Sequence, residues 1–520
     1  MKKLWAIPLL ILIICFCAVA CTPAGVGSVD QKGANVFPVS TMDDSLPVAM
    51  GDVMPFYDDG VMNIYHLRDS KGTNSIFYHP IARITTTDFI HYTDEGIALD
   101  FEEKITSIDA ALGTGSFIKG PDGTYHCFYT GHNGMKEKNP DTNEDEFVTG
   151  FKHAEVVRHA TSTDQKTWVK DEDFNLVGWE DDFRDPYVYY DGVDGCYYML
   201  ITTRDSGAAV IKRYFAKSLD ANSDDSPENE NGWRFKDNFF TNDEGSYNME
   251  CPSFIELNGF YYLAYSEQGD NRVTHYRYKT SHDGEWQKFE RDSIDASGFY
   301  AGRLEKAGDK LYAFAWCARL SGGSSGGFDW GGNLVTHELV QDATTGELSA
   351  VMPQNYKQFF STQVFYKTVD GRNLDEVSFD GTKFAAVGLE KLSTNVTRIS
   401  LTIDVKGDKG NFGLSFGLDG DYNNRLGSAV IAFDLDSNRL TCYNGVSSIL
   451  RYGAPLASVA FGFEQSKSYN VDVIIDGEII TVYLNGAVAL TSRITDMDES
   501  NFAFYSNGAQ AKIRDVKFYE

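Results

Sequence analysis

The sequence predicts an all-β fold: a five-bladed β-propeller over residues 41–352, followed by a β-sandwich over 353–520. Three observations carry this. Aromatic residues make up 14% of the 520, with 29 Tyr and 35 Phe against only 13 Pro, a balance that favours strands. A Gly turn followed by an aromatic strand recurs roughly every 50 to 70 residues, the length of a four-stranded blade. No helical heptad, Gly-rich phosphate loop or GxSxG elbow interrupts the pattern.

The chain opens with a targeting segment. Lys2 and Lys3 precede an apolar run from Leu4 to Ala20, which reads as a secretory signal peptide over 1–21. Ala18-Val19-Ala20-Cys21 resembles a bacterial lipobox, so Cys21 is the expected lipidation site. Residues 22–40 carry Gly, Pro and Ser and are expected to act as a flexible tether. The expected location is therefore the cell surface or periplasm, with a membrane reached through the lipid.

Five units then follow. Asp59-Gly60 precedes VMNIYHL, Asp122-Gly123 precedes TYHCFYTG, and Asp194-Gly195 precedes CYYMLIT. Asn258-Gly259 precedes FYYLAYS, and Gly308-Asp309 precedes KLYAFAW. Such turns between apolar runs are the strongest short hairpin signal. Beyond residue 353, alternating strands continue in LTIDVKG, VDVIIDGEIITVYLNG and IRDVKFYE, which suits a sandwich. Eight cysteines are present, none in a CxxC pair. Neither a zinc site nor a disulfide framework is expected.

Charge narrows the partners. The net charge of −29 repels phosphate backbones, so nucleic acid is excluded as a natural partner, whereas a neutral carbohydrate is not repelled.

Carboxylates recur in register. In a propeller the innermost strand of each blade begins at the central funnel. Asp52 lies eight residues before Gly60, Asp185 ten before Gly195, and Glu250 nine before Gly259. The matching positions in the second and fifth units hold Gly115-Ser116 and Phe299-Tyr300. Acids among apolar strand neighbours are costly unless paired or functional. Three convergent carboxylates without metal ligands suit glycosidic bond hydrolysis. Glu250 is the candidate acid/base, Asp52 the candidate nucleophile, and Asp185, oriented by Arg184, the candidate transition-state stabiliser. His79, His91 and His126 lack ligand spacing and read as structural.

These residues resemble glycoside hydrolase family 32, the fructan hydrolases and invertases. Arg184-Asp185-Pro186 resembles that family's RDP motif, and Glu250-Cys251-Pro252 its EC motif. Gly113-Thr114-Gly115-Ser116 resembles its FSGS segment and Phe299-Tyr300-Ala301 its FYA segment, with Trp316 following and Trp330-Gly331-Gly332 as the last landmark. The tail ITVYLNGAVALTSRI resembles its sandwich signature. The resemblance implies a propeller joined to a sandwich, retaining release of fructose from β-fructofuranosides, and no cofactor or metal. It places the nucleophile, stabiliser and acid/base on Asp52, Asp185 and Glu250. Arg184, Ser116, Tyr300, Trp316 and Cys251 become the expected substrate contacts.

The first motif departs from the family. Its WMNDPNG is AMGDVMPFY here, which leaves Asp58 and Asp59 as rival positions for the nucleophile. The Gln expected after that hairpin is replaced near Leu67, and a Trp expected before TTTDFIHY is Ile81. Two other functions fit the pattern. One is an inverting arabinofuranosidase-like propeller, whose reacting carboxylates lie ~6.5–9.5 Å apart against ~5–5.5 Å for retention. The other is a surface fructan-binding lipoprotein that has lost catalysis.

Overall fold

The computed structural model describes residues 36–520 apart from 43–45, 71–75, 227–228, 243, 270–271, 321–327, 375, 419–425, 445–454 and 495–500. The expected signal peptide, the Cys21 lipid site and most of the tether lie outside the described residues. The tether was expected to reach residue 40, and here the structure differs. Val36 and Phe37 are buried; the Val36 amide donates to Asp476 Oδ2 at 3.1 Å, and Phe37 O accepts from Asn333 Nδ2 at 2.8 Å. Two large apolar side chains bind this end of the segment to the fold more strongly than its Gly- and Ser-bearing flank suggests.

Up to residue 351 the chain forms antiparallel units of hydrogen-bonded strands. The first comprises Met50–Asp58, Val61–Arg68, Ile81–Thr86 and Thr93–Leu99. The second begins at Ala111–Lys119, the third at Arg184–Asp191, the fourth at Asn248–Leu257 and the last at Tyr300–Ala307. Each of these inner strands packs against the inner strand of the next unit, and the last packs back on the first. Pairing of Gly332 with Met50 closes the ring by joining the last unit to the first. Among the described residues the fourth unit has three strands, with bridges His275–Ser293 and Tyr278–Gln287 at its outer edge.

The recurrent turn glycines have a conformational cause. Gly60, Gly123, Gly195, Gly259 and Gly308 all take φ between 64° and 90°, which side chains disfavour.

From Gln363 onward two sheets pack face to face, one of seven strands and one of six among the described residues, around an apolar core that includes Ile399, Ile403, Phe412, Ile431, Val473 and Phe504. The helix Gln354–Phe359 lies between the two parts of the chain. A second apolar cluster crosses the boundary, joining Leu311, Leu339 and Tyr356 to Ile474, Ile479 and Tyr483. Cys127, Cys196, Cys251, Cys317 and Cys442 are free thiols, all but Cys196 buried.

Candidate active site

The inner strands share one irregularity. Their pairing shifts register between Gly51 and Met54, Gly113 and Gly115, Arg184 and Tyr187, Glu250 and Ser253, and Tyr300 and Arg303. A bulge leaves residues out of the ladder and re-aims their side chains. Asp52, Asp185, Cys251 and Ala301 lie within these bulges at φ of 42°, 58°, 55° and 55°. Such strain clusters at functional sites because only an over-determined surround maintains it.

The bulges bring the carboxylates together. Asp52, Asp185 and Glu250 all line one cavity of about 220 Å³, with Thr114, Glu155, Arg184, Cys251 and Trp330 also in its wall. The rival positions do not reach it. Asp58 is at the far end of its strand and accepts from Lys119 Nζ at 3.2 Å and from the Tyr125 hydroxyl at 2.8 Å.

Each carboxylate is held by donors. Asp52 Oδ1 accepts from Trp316 Nε1 at 3.1 Å and Oδ2 from Thr114 Oγ1 at 3.2 Å. Burial pushes its pKa up to about 6; the Glu250 charge adds to this, while the two hydrogen bonds and the Arg303 charge oppose it. Asp185 Oδ2 accepts from the Cys251 amide at 2.9 Å. Burial raises Asp185 as well, with Arg184 opposing and Glu250 and Asp52 reinforcing. Glu250 Oε1 accepts from Arg184 Nη2 at 2.9 Å, and Oε2 accepts a short hydrogen bond from the Tyr300 hydroxyl.

A larger groove of about 790 Å³ lies beside the helix Gln354–Phe359 and the sandwich, but its carboxylates are tied up. Asp472 pairs with Arg398 and Glu338 with Lys310. Asp191, Asp194 and His282 form a cluster of metal-ligand type on the outer turns, where the Lys236 ammonium occupies Asp194 at 3.3 Å. The cavity at the bulges is where carboxylates from three separate units converge on one open space.

Comparison with known proteins agrees. The family model "Glycosyl hydrolases family 32 N-terminal domain" matches residues 55–330, and the model for the family's C-terminal domain matches 366–520. The chain belongs to glycosyl hydrolase family 32. The N-terminal match starts just after Asp52, at the point where the first motif departs from the family pattern.

A search of curated protein sequences finds no match. Among solved structures, the chain is similar to a family 32 β-fructofuranosidase of Bombyx mori, at 16% identity and a TM-score of 0.65, covering 95% of this chain and 94% of that one. It is similar to an exo-inulinase from Aspergillus awamori at 12% identity and a TM-score of 0.67, covering 95% and 96%. A fructan 1-exohydrolase IIa from Cichorium intybus, solved with 1-kestose, is 13% identical with a TM-score of 0.66, covering 94% and 98%. The fold is therefore that of family 32, a propeller plus a sandwich.

Several expected substrate contacts in this family 32 chain do other work. Ser116 is buried, and its Oγ accepts from the Val188 amide at 2.9 Å, lacing the second inner strand to the third. Tyr300 and Trp316 are also buried; they grip Glu250 and Asp52. Arg184 does not orient Asp185 by a hydrogen bond; it bonds Glu250, Asp182 at 2.6 Å and Glu155 at 3.4 Å. Cys251 reaches the cavity wall and serves Asp185 through its backbone amide.

Other site residues escaped the sequence reading. Thr114 holds the nucleophile candidate, one turn of the pleat from the serine chosen instead. His79, read as structural, lines the cavity and stacks on Trp330 with ring centroids 4.0 Å apart. Its φ of 55° and the adjoining Pro80 were not decipherable as a site signal without the fold.

Proposed function

We propose that this protein is a retaining β-fructofuranosidase that removes terminal fructose from fructans or sucrose-like sugars. One observation carries the reading: Asp52, Asp185 and Glu250 line a single cavity in a family 32 chain. Asp52 attacks the anomeric carbon, while Glu250 protonates the leaving oxygen. Glu250 then takes a proton from water as that water displaces Asp52, so both steps invert and the net outcome is retention. Trp316 and Thr114 fix both oxygens of Asp52, which aims its lone pairs and reduces the entropy lost on reaching the transition state. Asp185, with burial favouring its neutral form, can donate to a sugar hydroxyl as well as accept from one.

The cavity volume, about 220 Å³, suits one sugar ring better than a run of a polymer, which supports release of end units. The Cichorium intybus relative solved with 1-kestose, and a Bombyx mori relative solved with sucrose, support the substrate class. The Lys2-Lys3 leader and the Cys21 lipobox support display on a membrane; Cys21→Ser should then release the protein to the soluble fraction.

Incubation with sucrose, inulin and levan should yield free fructose without larger fragments, and NMR should show the β-anomer first. Glu250→Gln and Asp52→Asn should each lower turnover by roughly 10²-fold or more. An α-anomer first would favour an inverting enzyme. Fructan binding without any hydrolysis would favour a binding protein.

A further inference from the structure

We propose that Arg303 is a positioning residue for the nucleophile: a buried positive charge that braces the second inner strand at the point where that strand holds Asp52. This inference rests on the assignment of Asp52 as nucleophile.

Arg303 is 1% exposed and lies just past the bulge of the last inner strand. Its Nη1 donates to Gly115 O, crossing from the last unit to the second. Gly115 follows Thr114, whose hydroxyl holds Asp52. The guanidinium lies 5.8 Å from the Tyr187 ring, which belongs to the third inner strand. Its Nε and Nη2 are buried without a hydrogen-bond partner among the described residues. A guanidinium so placed is costly unless nearby charge compensates it.

The local charges supply that compensation. Asp52 faces Glu250, Asp185 and the Cys251 thiol across the cavity, while Tyr78, His79, His132 and Glu155 line its wall. Arg184, the other cation, is committed to Glu155, Asp182 and Glu250. No ion pair engages Arg303 among the described residues, so its charge reaches Asp52 through space and favours the ionised carboxylate. A lysine could supply charge but not the reach of a guanidinium fork to Gly115 O.

The test compares Arg303→Met, Arg303→Gln and Arg303→Lys with the wild type. Difference infrared titration follows the Asp52 carboxyl, assigned by its loss in Asp52→Asn. In Arg303→Met the Asp52 carboxyl should protonate at a higher pH than in the wild type, and the acid limb of kcat/KM should move with it. At pH 5 kcat/KM should then fall below wild type by the same factor as the ionised fraction of Asp52, with KM little changed. Arg303→Lys should keep the wild-type midpoint to within a few tenths of a unit while lowering kcat. A folded Arg303→Met or Arg303→Gln whose Asp52 titrates as in the wild type overturns the proposal. If neither charge-free variant folds, a midpoint displaced by a full unit in Arg303→Lys overturns it. An inactive wild type would reject the fructofuranosidase reading, yet the infrared titration would still decide the role of Arg303.

Discussion

Asp52 is held in a state that the fold resists. Its folded pKa of about 6 lies above the ordinary 3.8, chiefly through burial and then through the Glu250 charge. The sign follows from linkage: the folded state binds this proton more tightly than the unfolded chain, so this group's contribution to stability falls as pH rises from about 4 to about 6. Above that range an ionised Asp52 strains the fold by about 3 kcal/mol. Asn at this position can still accept from Trp316 and meet Thr114, but carries no charge. Asp52→Asn should therefore melt higher than wild type at pH 7.5 and nearly equal to it at pH 4. Thermal melts at the two pH values check this, and a lower melting point at pH 7.5 would contradict it. The same titration should govern activity. kcat/KM should drop about tenfold per unit below pH 6, and Trp316→Phe, which removes a hydrogen bond to the ionised form, should move that limb upward.

At the scale of elements, the site is a property of five bulges rather than of five motifs. Glycines fit these bulges for different reasons, which separates stability from function. A Cβ on Gly115 would meet Phe128 O at 2.2 Å and Tyr129 Cα at 2.8 Å, both backbone. Gly115→Ala should cost ~2 kcal/mol or more and lower the melting point, because a paired strand cannot yield. A Cβ on Gly51 would instead meet the Trp330 ring at 2.3 Å. That ring forms part of the cavity wall, so Gly51→Ala should displace it and lower kcat/KM about tenfold with a smaller loss of stability. Melting points and kinetics on the pair distinguish the two cases. The bulges also explain what the sequence could and could not disclose. Asp185 and Glu250 were legible because each is flanked by a distinctive pair, Arg and Pro or Cys and Pro. Ser116 lies outside the cavity lining because side chains alternate along a strand, and one extra residue in a bulge reverses which neighbour faces the axis. Thr114 takes the inward place that Ser116 was given, and no composition or spacing reveals that reversal. The buried Val36 and Phe37 were hidden in the same way: their burial depends on contacts with Asp476 and Asn333, hundreds of residues away.

At the scale of the molecule, the sandwich directly supports the strand Lys310–Leu320 that carries Trp316. Arg493, 1% exposed at the end of the sandwich strand Val488–Arg493, donates from Nε to Ala318 O at 2.8 Å and from Nη2 to Cys317 O at 3.3 Å. Those carbonyls follow Trp316, the residue that holds Asp52. Nearby, Asp295 Oδ1 accepts from the Thr491 amide at 2.8 Å, and Oδ2 is 2.8 Å from His337 Nε2, whose ring reaches the Tyr483 hydroxyl at 3.0 Å. With the apolar cluster that crosses the same boundary, these contacts should couple the two parts into a single cooperative unit. Scanning calorimetry should show one endotherm. Arg493→Met should keep the single transition but lower its midpoint, since two buried carbonyls and Glu478 lose their donor, a loss of roughly 2–4 kcal/mol. Activity per folded molecule should also fall severalfold at a temperature well below the melt, because the Cys317–Ala318 backbone that positions Trp316 is no longer pinned. A variant that melts lower yet keeps full kcat/KM would show that the sandwich only adds stability, whereas loss of both would show that it helps to hold the nucleophile in place.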